Sequence, residues 1–249
     1  MRNWIIGAAA ALAAVAAPSV AAAQATGYVG LVYSNSDPSG ATDDVESYGG
    51  EGAVAFAGSG SIVFEIDAAV TTTDDTGSGD DETGYGLVGH IYGRNSDHLF
   101  GGFVGIVGGE DTETWLAGLE ANKYFASWTL AGALFYGNND DFDVDGWGAN
   151  VEGRLFLTDN FRLNGNVGWV EVDSGGADDD AMMWGVGGEY QFDAMPISIG
   201  AGWNNIDFDA GDVDTWTVGV RYNFGGTTLR DRDRNGASQA TVIGLASAF

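Results

Sequence analysis

Asp141, Asp143, Asp145, Gly146 and Glu152 match the calcium-loop pattern D-x-D-x-D-G-x5-E in full. That pattern holds an ion when the chain coils between two helices and the last position returns to the metal. Here Trp147, Ala149, Val151 and Leu155 alternate with Gly148, Asn150, Glu152 and Arg154, the period of an extended strand. At about 3.3 Å per residue, Glu152 lies roughly 20 Å beyond Asp145, too far to share its ion. What remains is a reduced set of loop carboxylates, Asp141, Asp143 and Asp145, with a second run at Asp207, Asp209, Asp212 and Asp214. Such sets hold divalent cations weakly and exchangeably, and no other cofactor is expected. A solvated acidic loop is the plainer account of both.

Other chemistry is thinly supplied. Nucleophilic hydrolysis needs a serine beside a histidine with a polar group to orient it. The chain has two histidines, His90 and His98, and no serine is placed to join either, so an enzyme is not expected. Glu65 and Asp67 resemble an acid–base pair, but carboxylates two residues apart on a strand also line a polar interior. With no cysteine, disulfides and thiolate metal sites are excluded. Eight basic residues beyond Arg2 stand against thirty-six acids, which excludes nucleic acid as a partner, because phosphate binding needs clustered Lys and Arg.

The acids are not scattered. Twenty-four of the thirty-six fall in six clusters free of Lys and Arg: Asp37 to Glu46, Asp74 to Glu82, Glu110 to Glu113, Asp140 to Asp145, Asp173 to Asp180 and Asp207 to Asp214. Between consecutive clusters lie two alternating stretches joined by a short turn. The last is the clearest: Trp216, Val218, Val220, Tyr222 and Phe224 share one face, with Thr217, Gly219, Arg221 and Asn223 on the other. The same test gives twelve strands, at about 27–35, 47–57, 61–72, 83–94, 98–108, 113–125, 127–137, 146–157, 160–172, 182–192, 196–206 and 214–224. Short turns fall near 58–60, 94–97, 125–127, 158–160 and 193–196. The strand at 98–108 has no resolved facing, since Leu99, Phe103 and Val107 compete with Phe100, Val104 and Ile106.

Twelve strands of this length, six long acidic loops and five short turns predict a single antiparallel up-and-down transmembrane β-barrel. A soluble β-sandwich is the rival fold. Trp115, Trp147, Trp169, Trp184, Trp203 and Trp216 all fall at the loop ends of their strands, and aromatics at one level form an interfacial girdle rather than a sandwich core. At the N-terminus, Arg2, the apolar run Trp4 to Ala17 and Ala21-Ala22-Ala23 read as a cleaved signal peptide over 1–23, with the barrel over 24–224.

The segment Trp216 to Phe224 resembles the terminal strand signal read by the barrel-assembly machinery. With it, Ala25 to Phe224 resembles the outer-membrane β-barrel superfamily of Gram-negative bacteria, and within it a small porin-type protein. That resemblance implies a cell outer-membrane location, contact with lipid and lipopolysaccharide, and handling by the assembly machinery. Members commonly stop at the final aromatic, whereas this chain continues through 225–249 with Arg230, Asp231, Arg232, Asp233 and Arg234. The tail reads as a disordered periplasmic extension, with a plug folded back into the lumen as the alternative.

By alternation, the inward residues that line the expected pore include Glu51, Glu65, Asp67, His90, Glu120, Glu152, Arg154, Arg162, Glu189 and Arg221. Arginines facing carboxylates across the lumen would set up a transverse field; if they pair locally instead, they close it. The expected function is passive diffusion of small hydrophilic solutes or ions with modest cation preference. The alternative is a non-conducting structural or surface-interaction barrel whose acidic loops bind divalent cations.

Overall fold

The structure, a computed structural model, describes residues 25–237 except 42, 59, 75–80, 110–111, 140–141 and 175–176. The expected signal peptide and residues 238–249 lie outside the described residues. Twelve strands follow one another: β1 (Ala25–Pro38), β2 (Val45–Ala57), β3 (Ile62–Asp74), β4 (Glu82–Arg94), β5 (His98–Gly108) and β6 (Glu113–Tyr124), then β7 (Trp128–Asn139), β8 (Val144–Thr158), β9 (Phe161–Ser174), β10 (Ala177–Gln191), β11 (Ile197–Phe208) and β12 (Gly211–Phe224). Each pairs antiparallel with the next, and β12 pairs back to β1 from Gly27↔Phe224 to Pro38↔Val213, closing a barrel. Closure leaves no edge, so backbone donors and acceptors at membrane depth are satisfied within the ladder. Among the described residues no helix is long and apolar enough to cross a membrane.

Outward positions carry the apolar face. Val218, Val220 and Tyr222 of β12 are exposed beside Leu31 of β1 and Ile199 of β11, as a lipid-facing surface requires. Near the long-loop end, Trp147 meets Trp169 edge-on at 4.8 Å between ring centroids, and Trp203 lies 4.4 Å from Trp184 and 6.5 Å from Trp216. At the short-turn end Phe125 stacks on Trp128 at 3.8 Å, and Tyr190 meets Phe192 at 5.4 Å. These are the two interfacial belts of a membrane barrel, one per end.

The structure resolves the facing of β5. Leu99 and Phe103 are buried in the lumen, while Phe100 and Val104 are exposed outward. It also corrects the six long acidic loops. β9 and β10 stay paired to Ser174↔Ala177 and β11 and β12 to Phe208↔Gly211, so two-residue connections replace two of them. Many loop carboxylates are strand residues in a collar, with Asp37 opposite Asp214, Glu46 opposite Asp74, Asp145 opposite Asp173 and Asp207 opposite Asp212. Ladder hydrogen bonds carry the strands past the lipid band, where no apolar alternation is needed, so the period test stops short of their ends.

The barrel ends at Phe224, but the chain then turns inward. Gly225 has φ +76, and a Cβ there would lie 2.2 Å from the Ala25 carbonyl oxygen, so glycine alone makes this turn without strain. Beyond it α1 (Leu229–Asn235) begins at Thr228, whose hydroxyl accepts from the Asp231 N–H. Through Ala237 the tail is therefore not a disordered extension: Leu229, Arg232, Asp233 and Ala237 are buried in the short-turn mouth of the barrel.

Candidate functional site in the barrel lumen

All ten residues expected to line the pore point inward, because alternation leaves them no other face. They do not line one open passage. On the β3–β6 side, His90 of β4 lies between Asp67 at 3.4 Å and Glu120 at 3.1 Å, all three buried. Glu120 of β6 reaches His90 across β5 because the strand between presents Gly101, which faces Glu120 in register and where a Cβ would strike Tyr92. Next to them the Tyr92 hydroxyl donates to Glu65 at 2.5 Å. Toward the long-loop end, Val88, Phe103, Leu116, Phe135, Val170 and Met183 form a buried apolar cluster inside the barrel. The cluster runs from β4 round to β10, so buried side chains occupy the lumen at that level.

An unfilled space remains on the β9–β12 side. A cavity of about 270 Å³ lies against β9–β12, β1 and β2, with Glu51, Arg162, Asn164, Asn166, Glu189 and Arg221 among its walls. Glycine lines much of β10 and β11 here, so the space exists because side chains are missing. Arg221 of β12 donates to Glu51 of β2 at 2.6 Å, passing over Gly30 of β1, where a Cβ would come within 2.9 Å of the arginine Cγ. Arg162 meets its register partner Glu189 at 3.0 Å, and Arg221 approaches the same carboxylate at 3.5 Å. The Ser198 hydroxyl adds a third group on Glu189 at 2.6 Å.

These pairings correct the expected transverse field. Arg154, Arg162 and Arg221 do not face bare carboxylates across a gap. Arg154 pairs with Glu152 on its own strand at 2.6 Å, and Arg162 and Arg221 pair with near neighbours. A guanidinium leaving water needs a carboxylate within contact distance, so local pairs outcompete a separated array. The cavity wall thus carries paired charges, with Asn164, Asn166, Asn204 and Thr217 among its other polar groups.

Below the cavity the lumen meets the tail. Arg232 of α1 donates to Glu189 at 2.8 Å and to Asn223, with its guanidinium 5.6 Å from the Tyr28 ring centroid. Asp233 accepts from Arg154 at 2.9 Å and from Thr129 at 2.6 Å. Arg94 donates to the carbonyls of Gly236 and Asn235, and Arg234 to those of Phe125 and Trp128. Sequence reasoning placed none of these partners. Thr228 followed three residues later by Asp231 was the readable sign of a helix start.

The metal candidates are dispersed. Asp143 sits in a turn at φ 53, Asp145 accepts from the Tyr136 hydroxyl at 2.8 Å, and Glu152 is sealed in the lumen on Arg154. Asp141 lies outside the described residues. Asp212 and Asp214 both accept from Asn205, while Asp207 and Asp209 stay exposed at the rim. Among the described residues no group of three or more His, Cys, Asp and Glu side chains is arranged to hold a metal ion.

Comparison with solved structures supports the architecture. An outer-membrane channel from Pseudomonas putida F1 aligns over 80% of this chain and 95% of its own at 13% identity, TM-score 0.61. The KdgM porin aligns over 78% and 99% at 13% identity, TM-score 0.54, and its complex with oligogalacturonate at 12% identity, TM-score 0.53. At these identities the likeness is one of fold. No curated relative matches the chain in sequence. The family model of Gram-negative porins, however, matches residues 64–230, about two-thirds of the chain, and the chain therefore belongs to the Gram-negative porin family.

Proposed function

We propose that this porin passes small hydrophilic solutes or ions along an eccentric path, through the polar half of the lumen between β9–β12 and β1–β2. The observation that carries this reading is the cavity bordered by Glu51, Arg162, Glu189 and Arg221, where charged and amide side chains face unfilled space. The long-loop end faces the exterior and the short-turn end the periplasm, in the ordinary orientation of such barrels. Export through the 1–23 signal peptide, delivery to the assembly machinery and contact with lipopolysaccharide at the outer belt belong to the same reading.

Selectivity is set at two depths. The collar opposes carboxylate to carboxylate at Asp37/Asp214, Glu46/Asp74 and Asp145/Asp173, and its summed field enriches cations at the mouth. Deeper in, Glu51 and Glu189 are paired with Arg162 and Arg221, and Arg232 of the tail adds a third guanidinium on Glu189, so the wall there has no excess of acid and the cation preference is modest. A polyanion such as the oligogalacturonate bound by the KdgM porin would be repelled at this collar. Weakly held divalent cations at the rim carboxylates fit the same field.

Planar bilayers with purified protein test the reading. Discrete channels with a reversal potential favouring K⁺ over Cl⁻ at low salt are expected, and a preference that shrinks as salt rises. An absence of channels from the full chain and from a chain ending at Phe224 alike would return the barrel to a structural role, which the buried apolar cluster and the His90 cluster inside it favour; removal of divalent ions would then alter surface attachment without altering permeability.

A further inference from the structure

We infer that the segment from Gly225 to Ala237 is an autoinhibitory plug, docked in the short-turn mouth and released as a unit to open the path. This rests on the pore reading above, since a gate needs a channel. The segment contacts the mouth on many sides. Arg230 pairs with Asp159 of the β8–β9 turn at 2.9 Å, and its N–H donates to that residue's carbonyl at 3.0 Å. Gln191 of β10 donates to the Thr227 carbonyl, Arg94 at the end of β4 holds the C-terminal carbonyls of α1, and Ala237 is buried against Tyr28, Ala53 and Ala55. A chain so placed covers the floor beneath the cavity.

Its manner of attachment is that of a device made to let go. Leu229 and Ala237 are the buried apolar residues of the segment, and the remaining hold is ionic and polar. Buried ion pairs recover little more than their desolvation cost, so docking through them is specific without being strong. Seven helical residues do not persist alone in water, so undocking and unfolding of α1 are one event. Gly225 anchors the segment covalently beside β1, which returns it to the same mouth. Arg232 engages the carboxylate that holds cavity-lining Arg162 and Arg221, so release also changes the charge balance at the constriction.

The test compares three forms in planar bilayers: the full chain, a chain ending at Phe224, and a full-length D159C/R230C variant in this cysteine-free background. The 3.0 Å backbone hydrogen bond brings those two backbones to disulfide range, and the pair replaced is exposed. Truncation is expected to raise mean conductance several-fold; oxidation of the double variant is expected to hold it in the low state, with reductant restoring full-chain behaviour. If the truncated chain folds poorly, the oxidised and reduced double variant alone decides the matter. Equal conductance in all forms overturns the plug and leaves the pore standing. Failure of the cross-link to form under mild oxidation overturns the docked arrangement. Silence from every form, the truncated one included, overturns the pore reading itself and the gate with it.

Discussion

Arg232 of α1 and Glu189 of β10 meet at 2.8 Å with both side chains buried, and this contact joins the tail to the wall of the lumen cavity. Glu189 also receives Arg162, Arg221 and Ser198, so one carboxylate is shared by three guanidiniums contributed by β9, β12 and α1. Glu189→Gln leaves those cations facing a neutral amide with Glu51 as the nearest remaining acid on the cavity wall. The expected cost is about 3 kcal/mol, the low end for an orphaned buried charge, because Arg162 and Arg221 keep some solvent access. Denaturant unfolding followed by gel mobility of the folded barrel reads the loss, and the reversal potential should shift toward anions. An unchanged reversal potential would remove Glu189 from the path.

Gly225 sets the direction of the tail. Any side chain meets the Ala25 carbonyl, and φ +76 disfavours L residues independently of that clash. Gly225→Val should cost on the order of 1–3 kcal/mol locally. Because the strain sits at the base of the tail rather than in the barrel ladder, the expected result is an undocked α1 on an intact barrel. Trypsin should then cut after Arg230, Arg232 or Arg234 faster than in the parent, while the barrel keeps its heat-modifiable gel shift. Equal cutting rates would show that the turn does not control docking.

The period of two made the fold legible because lipid and lumen impose opposite chemistry on alternate residues. It therefore located Glu65, His90, Glu152 and Arg221 on the inner face. It failed at β5 for the same physical reason: Leu99 packs inward on Tyr92 and Tyr124, and Phe103 joins an apolar cluster with Leu116 and Phe135, so both faces of the strand look alike. The tail was illegible for a different reason. Its order comes from Glu189, Arg154 and Asn160, which lie 43, 79 and 69 residues away in sequence from their partners in the tail, and no local pattern carries such contacts. Read alone, Arg230 to Arg234 has the composition of a solvated segment.

Asp231 makes docking sensitive to acid. Burial alone would push its carboxyl pKa up, but the Thr227 N–H, the Asn235 amide and the Thr227 hydroxyl all donate to it and hold it below the ordinary value. A folded pKa below the unfolded one contributes stability that is complete above the unfolded value of 3.8 and is lost as pH falls through the folded value. Hydrogen exchange of the tail amides, corrected for intrinsic rates, should show protection falling in that acid range. Asp231→Asn should be less protected at neutral pH and lack the acid transition, and an identical profile in the variant would assign the transition elsewhere.

The collar supplies the remaining prediction. Asp207 and Asp209 are exposed at the rim, whereas Asp212 and Asp214 are engaged by Asn205, so the first two can be neutralised without disturbing a hydrogen-bonded pair. Asp207 also stands opposite Asp212 across the β11–β12 hairpin, and like charges in register cost up to about 1 kcal/mol, so its removal relieves the hairpin. Asp207→Asn/Asp209→Asn should thus leave the barrel as stable as before or slightly more so, while lowering the K⁺ to Cl⁻ permeability ratio. The loss should be largest at about 0.01 M salt, where the Debye length of roughly 30 Å lets the rim act on the whole mouth, and should vanish near 1 M, where it is roughly 3 Å. Reversal potentials at both ionic strengths decide this. A ratio that falls equally at both would place the effect on local binding rather than on the field of the collar.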